Sequence, residues 1–424
     1  MNRVSYAHLY APFSLPHIYE STNKVNYRIY KTKPQDSVVP SAEYAVLNYY
    51  KDYMCIDEPI DTRQFRSVIQ SYPEGELLSF SPPASIPYNK FCENYSDVRS
   101  DQQIQVSEII EGTLIHLFYD KRIQMWQIAT RGAVGGQYYL FDKSTKEKHK
   151  TTTVYEMFLD ALGISRNTDQ TGLTNFLDTF PQFYSYSFVL QHPENRIILS
   201  LQRPALYLVG VYDIMPISMC LMSVPQFVYQ GFTCFMDVPT IQFPKVYDVE
   251  EYGYRSYADL EKAFGSIQNN PRRLGIMITH LPSGNRTAIR NPVYAEIYKI
   301  RYLDTELQYQ YLCLRRIGRV VDFLSYFPEY KGDFYRFYEQ TRDFLENVHA
   351  SYMSFYVFKD GVPTSLKYWP YIRRIHKEVY LPSLATGQEK KITRAVVHDF
   401  MNKFEPKEWL YALNYENRHL DDTS

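Results

Sequence analysis

The chain predicts an α+β fold, a strand-rich antiparallel body followed by a helical C-terminal domain. Three observations carry this reading. Between Arg63 and Ile300 the dominant pattern is two-residue alternation broken by turn residues. Beyond Ile300 the apolar spacing shifts to the three-and-four pattern of amphipathic helices. A length of 424 residues is enough for two or three domains with a sizeable core.

Taken in order, residues 1–60 are weakly periodic and contain many Tyr and Pro. They predict an irregular lead-in packed on the body, with a helix near Ala42 to Tyr53. The body spans 61–300. In it, Thr113, Ile115, Leu117 and Tyr119 alternate against Leu114, His116 and Phe118, and Trp126, Ile128 and Thr130 alternate on a return strand. A helix over Thr153 to Leu162 places Val154, Phe158 and Leu162 on one face. Ala205 to Val224 is the most apolar stretch. Asp213 and Pro216 interrupt it, so it predicts buried strands and no membrane span. The C-terminal domain, 301–424, begins with Leu307, Tyr311 and Leu314 at helical spacing. A longer stripe from Phe334 to Phe355 follows, and then one from Thr393 through Val397, Phe400 and Phe404.

Charge is balanced, with Lys+Arg 46 against Asp+Glu 47, so no broad cationic surface for sequence-independent nucleic-acid binding is expected. The 41 tyrosines are spread along the chain, which favours interior packing over a base-stacking platform. Cys55, Cys92, Cys220, Cys234 and Cys313 are scattered, which argues against a disulfide framework or zinc site and for a reducing compartment. With no secretory pattern at the N-terminus, the expected location is intracellular. Walker-type phosphate loops, HExxH and GxSxG are absent from the sequence, which removes most competing enzyme classes.

The most informative stretch is Glu111-Gly112-Thr113-Leu114-Ile115 with its hairpin to Trp126–Gly132. Segments in fixed order surround it: Arg66-Ser67-Val68-Ile69, Leu77–Pro83, Phe188–Ile198 with Pro193-Glu194-Asn195-Arg196, Leu206–Gly210, Leu274–Thr279 and Ala288–Tyr294. In order and spacing they resemble the bacteriophage tRNA-repair type of ATP-dependent RNA ligase, a branch of the covalent nucleotidyltransferases. The likeness covers roughly residues 63–295. It is similar more closely to the ligase-like proteins of large nucleocytoplasmic DNA viruses, and that likeness continues through Asp322–Glu329.

The resemblance implies a nucleotidyltransferase body and says what each motif would supply. A Lys-x-Asp-Gly motif would carry the lysine that attacks the α-phosphate of ATP. Here the aligned residues are Ile109-Ile110-Glu111-Gly112, and no lysine lies between Lys90 and Lys121. Arg131 retains the cation expected beside the ribose or the incoming end. The two acidic positions near the sugar or metal read Val189 and Leu274, the latter before Gly275; an apolar side chain offers Mg²⁺ no oxygen. The Lys-x-Lys motif reads Ala288-Ile289-Arg290. The resemblance therefore implies a vestigial nucleotide or RNA pocket formed by Glu111, Gly112, Arg131, Gly275 and Arg290. No catalytic residue, metal site or cofactor is expected. The expected role is binding or structural, with RNA or another viral protein as partner, in the host cytoplasm, the viral factory or the virion. The alternative is an active ligase with a non-standard nucleophile, using ATP and Mg.

Other residues are weighed against plainer roles. Asn195 and Arg196 are expected to fix a turn, His116 to be a satisfied core histidine, and His192 to lack a catalytic role. Arg315, Arg316 and Arg319 lie on one helical turn with few acids nearby in sequence. They are the candidate contact for a nucleic acid or an acidic partner, against the alternative of a solvated helix face. Arg373-Arg374 with Lys377 form a similar group.

Overall fold

The computed structural model describes residues 25–31, 42–49, 66–96, 98, 103–139, 152–214, 220–222, 238, 240–266, 272–281, 283–301, 305–360, 365–385, 387 and 390–416. Most of the expected lead-in, together with Cys55 and Cys234, lies outside them. The strands are β1 (Val25–Lys31), β2 (Glu43–Tyr49), β3 (Val68–Tyr72), β4 (Leu77–Phe80), β5 (Ile104–Glu108), β6 (Thr113–Asp120), β7 (Met125–Thr130), β8 (Tyr184–Gln191), β9 (Ala205–Asp213), β10 (Cys220–Met222), β11 (Ile241–Gln242), β12 (Val246–Tyr247), β13 (Gly275–His280) and β14 (Arg286–Arg290). The helices are α1 (Tyr88–Asn94), α2 (Val154–Leu162), α3 (Gln170–Phe176), α4 (Tyr257–Phe264), α5 (Pro292–Arg301), α6 (Leu307–Arg316), α7 (Val320–Tyr326), α8 (Lys331–Tyr352), α9 (Trp369–Ile375), α10 (Leu381–Ala385), α11 (Arg394–Met401) and α12 (Pro406–Leu413). The fold is mixed α+β with antiparallel sheets and a helical C-terminal region. Two compact units divide it, one running to Glu296 and one from Ile297. Among the described residues no helix is long and apolar enough to cross a membrane.

Three sheets build the first unit, in the orders β1-β2-β3-β4, β10-β9-β8-β6-β7 and β12-β5-β13-β14. All pairs are antiparallel except β11, which adds to β9 in parallel. One face of the middle sheet carries Ile115, Leu117, Trp126, Ile128, Tyr186, Phe188 and Leu190 into a buried core, where α2 and α3 cover them. Helix α2 follows from its sequence. Thr153 and Glu156 form a reciprocal capping box, and Gly163 ends the helix in the left-handed conformation. The third sheet packs Val106, Ile276, Ile278 and Ile289 against Phe91 and Leu260 of α1 and α4.

One expectation is corrected here. Residues 43–49 form strand β2, not a helix, and β2 lies between β1 and β3. Tyr44, Ala45, Val46 and Leu47 are all buried. A strand covered on both faces loses its two-residue alternation, so an apolar run of this length reads equally as one face of a helix.

In the second unit, Leu307, Tyr311 and Leu314 of α6 are buried, as are Phe334, Phe337, Phe344, Val348 and Tyr352 of α8. Thr393 caps α11, which buries Val397, Phe400 and Met401. Trp409 of α12 closes this interior with its Nε1–H donating to the Met401 carbonyl at 3.0 Å.

Candidate functional site

Strand β5 and strand β6 belong to different sheets, and residues 109–112 join them. Glu108 N donates to Lys245 O at 2.8 Å and Ile109 N donates to Gly275 O at 3.1 Å, so the joining segment begins on the third sheet. It ends on the middle sheet, where Thr113 lies opposite Leu190. Two glycines allow the crossing. Gly112 has φ +152°, and a Cβ there would sit 2.4 Å from the Leu190 carbonyl oxygen. Gly275 has φ +128°, with a Cβ placed 2.0 Å from the Ile289 carbonyl oxygen. Neither position accepts another residue without moving backbone.

Glu111 is 4% exposed, and both of its carboxylate oxygens are taken by the protein. One accepts from Ile198 N at 3.1 Å and Leu199 N at 3.0 Å; the other accepts from the Tyr294 hydroxyl at 2.6 Å. Its carbonyl accepts from Gln191 Nε2 at 2.8 Å. This side chain ties β6 to the segment after β8 and to α5.

The segment after β8 is held as expected of a turn. Asn195 Nδ2 donates to Thr113 Oγ1 at 3.0 Å, and Arg196 Nε donates to Ile198 O at 3.1 Å. His192 is buried; its Nδ1 accepts from Glu194 N at 3.2 Å, which leaves Nε2–H to donate to Asp160 Oδ2 at 3.0 Å. Arg166 meets the same carboxylate through Nε and Nη2, the latter at 2.6 Å. Burial alone would raise the Asp160 pKa, but the hydrogen bonds and charges of Arg166 and His192 outweigh it and hold the carboxyl below its ordinary range. His192 therefore locks a turn.

His116 departs from expectation. It is fully buried with Nδ1 2.9 Å from Ser79 Oγ, which is itself 2.6 Å from Ser185 Oγ, while Nε2 has no partner among the described residues. Burial, with a smaller contribution from the Arg66 charge, pushes its pKa down to about 3, so the ring is neutral near pH 7.

Backbone pairing brings Ile109, Gly275 and Arg290 together, Gly275 lying opposite Arg290. Arg131 follows Thr130, which lies opposite Ile115, and its carbonyl accepts from Ser67 Oγ at 3.1 Å. Both guanidinium-bearing side chains are exposed, and neither makes an ion pair with a described residue. At the positions where the ligase-like pattern would place its nucleophile and acids, Ile109 and Val189 are half-buried and Leu274 is buried. Oxygen ligands for Mg²⁺ do not fit here, since Val189 and Leu274 have none and the Glu111 carboxylate is engaged. Among the described residues no group of three or more His, Cys, Asp or Glu side chains could hold a metal ion. Lys121 sits in the β6–β7 turn, about 30 Å of strand from Gly112. Lys245 accepts from β5 through its backbone carbonyl, and its ammonium lies 5.1 Å from the centres of both the Tyr247 and Tyr252 rings.

The arginines of the second unit have more acidic neighbours than their sequence spacing suggests. Arg316 pairs with Glu405, and Arg319 pairs with Asp322 at 2.9 Å. Arg374 similarly meets Glu378 at 3.1 Å and Glu408 at 3.7 Å. Arg315 and Arg316 line a cavity of about 500 Å³, together with Arg394, His398 and Asn402, which the sequence reading did not single out. The signal was present in their spacing of four, which places them on one stripe of α11 and its last turn.

No protein-family model matches the chain, and no curated protein matches it. Among solved structures the chain is similar to Naegleria gruberi RNA ligase. A mutant form with ATP and Mn aligns at 13% identity and a TM-score of 0.36, over 52% of this chain and 58% of that one. A second mutant with ATP and Mn aligns at 9% identity and 0.35, over 66% of this chain and 100% of that one. The form with PPi aligns at 10% identity and 0.32, over 66% and 99%.

Proposed function

We propose that the chain is a ligase-like protein whose nucleotidyltransferase frame has become a binding or structural scaffold. In this reading it belongs to the ligase-like proteins of large nucleocytoplasmic DNA viruses. It engages RNA or another viral protein in the host cytoplasm, the viral factory or the virion, through what remains of the pocket near Gly112, Arg131, Gly275 and Arg290. The observation that carries the reading is the state of the joining segment. Ile109 stands at the nucleophile position, and the acidic residue two places on, Glu111, gives both oxygens to Ile198, Leu199 and Tyr294. Two backbone amides and a hydroxyl inside the fold thus use the carboxylate that the resemblance would place in a nucleotide or RNA pocket.

The test is chemical. Purified protein is incubated with ATP and Mg²⁺, and its intact mass is compared with that of untreated protein. The expected result is no gain of one AMP. A covalent adduct that survives denaturation would overturn the proposal, and peptide mapping would then ask first whether Lys245 carries it. RNA as partner is tested by electrophoretic shift of single-stranded RNA at two salt concentrations; no shift at the lower one leaves a protein partner.

A further inference from the structure

The cavity of the helical unit has an unusual balance of charge. Arg315, Arg316, Arg342 and Arg394 line it, with His398 and Asn402 between them, and Glu346 is the one acid in its wall. Two of the arginines are neutralised locally, Arg316 by Glu405 and Arg342 by Glu339 and Asp343. Arg315 and Arg394 have no carboxylate partner among the described residues. Arg315 is half-buried with its guanidinium 5.0 Å from the centre of the Trp409 ring, and burial pushes its pKa down. A half-buried guanidinium with no carboxylate partner, beside a second exposed one, is placed to meet an anion supplied from outside.

The polar groups around Arg315 are already oriented. Arg315 Nη2 donates to Asn402 Oδ1 at 2.8 Å, and Asn402 Nδ2 donates to His398 Nδ1 at 2.8 Å. The first bond fixes which way the amide points, and the second makes His398 Nδ1 the acceptor. Its Nε2–H is thereby left as a donor in the wall. Arg394, one turn earlier on α11, adds a guanidinium on the same stripe. Tyr338, Leu345 and Leu312 supply carbon surface beside these donors. A volume of about 500 Å³ is that of a small-molecule site, larger than a bare anion needs.

We propose that this cavity binds a compact organic phosphate monoester, its phosphate held by Arg315, Arg394 and His398 and its organic part against Tyr338 and Leu345. Guanidinium groups meet phosphate oxygens in paired, charge-assisted hydrogen bonds, which a carboxylate of lower charge matches less fully. The site is independent of the reading given to the strand-rich unit.

Calorimetric titration of the full chain tests it with four probes: AMP, ribose 5-phosphate, adenosine and inorganic phosphate. AMP and ribose 5-phosphate are expected to bind saturably with Kd below about 1 mM, and adenosine and inorganic phosphate to bind more weakly. Arg394→Ala is expected to weaken both esters by about tenfold or more, and Arg394→Glu further, while Arg336→Ala leaves them unchanged. Arg394 and Arg336 are both exposed, so these variants should fold; unchanged thermal midpoints would verify it. The proposal is overturned if no ester binds, if adenosine or inorganic phosphate binds as tightly as the esters, or if affinity survives Arg394→Glu. It is also overturned if affinity falls in Arg290→Ala and not in Arg394→Ala, which would put the ligand on the strand-rich unit.

Discussion

If Glu111 is a structural tie, removing its carboxylate should destabilise the strand-rich unit whether or not any nucleotide is present. Glu111→Ala would leave two backbone N–H groups, of Ile198 and Leu199, and the Tyr294 hydroxyl without their acceptor at a site only 4% exposed. Each such loss costs about 1–3 kcal/mol; allowing for partial relaxation and water, the sum is roughly 3–5 kcal/mol. Glu111→Gln keeps one oxygen for the two N–H groups, and its amide can donate to Tyr294, so the cost drops to about 1–2 kcal/mol. Tyr294→Phe breaks the 2.6 Å bond, and a double-mutant cycle with Glu111→Ala should give a coupling of about 1–2 kcal/mol. Urea unfolding followed by near-ultraviolet circular dichroism measures all of these. The reasoning fails if Glu111→Ala stays within about 0.5 kcal/mol of the parent, the range of ordinary surface substitutions. It fails more instructively if stability is kept and nucleotide binding is lost, since that would make the carboxylate a ligand group.

Two further outcomes are expected. His116 stays neutral in the folded chain down to about pH 3, whereas an unfolded histidine protonates near 6.5, so the unfolded state binds the extra proton between those values. Stability should therefore fall with decreasing pH below about 6.5, by up to roughly 1.4 kcal/mol per unit from this residue; a His116→Asn variant measured from pH 7 to pH 5 should show a flatter slope, and an unchanged slope would refute the assignment. Gly275→Ala must move backbone away from the Ile289 carbonyl at a φ of +128° and should cost about 3 kcal/mol or prevent folding, whereas Gly132→Ala, with nothing within 4 Å of its Cβ, should be nearly neutral; equal unfolding midpoints for the two would contradict this.

Local signals were readable where one short segment contains both halves of the interaction. Helix α2 was expected from Val154, Phe158 and Leu162 on one face, and its Thr153–Glu156 capping box and Gly163 stop lie within a dozen residues. The β6–β7 hairpin was readable because its core-facing residues alternate with others. β2 was misread because burial of Tyr44 to Leu47 on both faces erased that alternation. Partners far apart in sequence were not readable at all. Glu111 and Tyr294 are separated by 183 positions, and Arg316 and Glu405 by 89. Nothing in either neighbourhood announces the other, so Glu111 looked like a pocket residue and Arg316 like an uncompensated cation. The same limit hid the cavity of the helical unit, whose walls come from α6, α8, α11 and α12.

The ligase-like positions of this chain divide by physical role. Gly112 and Gly275 hold backbone conformations that a Cβ would forbid, Asn195 bonds Thr113, and Glu111 closes three hydrogen bonds. Each of these residues would be costly to replace even if no nucleotide ever bound. The positions that differ from the ligase-like pattern are 109, 189, 274 and 288, where Ile, Val, Leu and Ala stand half-buried or buried. A charged group there would carry a desolvation penalty, which only a bound ligand or metal would offset. Apolar side chains remove that penalty. Gly112, Gly275 and Asn195 thus report on what the fold requires and are silent about the reaction, since they would be needed in an active enzyme and in a scaffold alike. Ile109, Val189, Leu274 and Ala288 and the engaged Glu111 carboxylate bear on the choice between the two, and for that reason the decisive measurement is the covalent adduct and not a binding assay, since nucleotide docked beside Arg131 and Arg290 would be compatible with either.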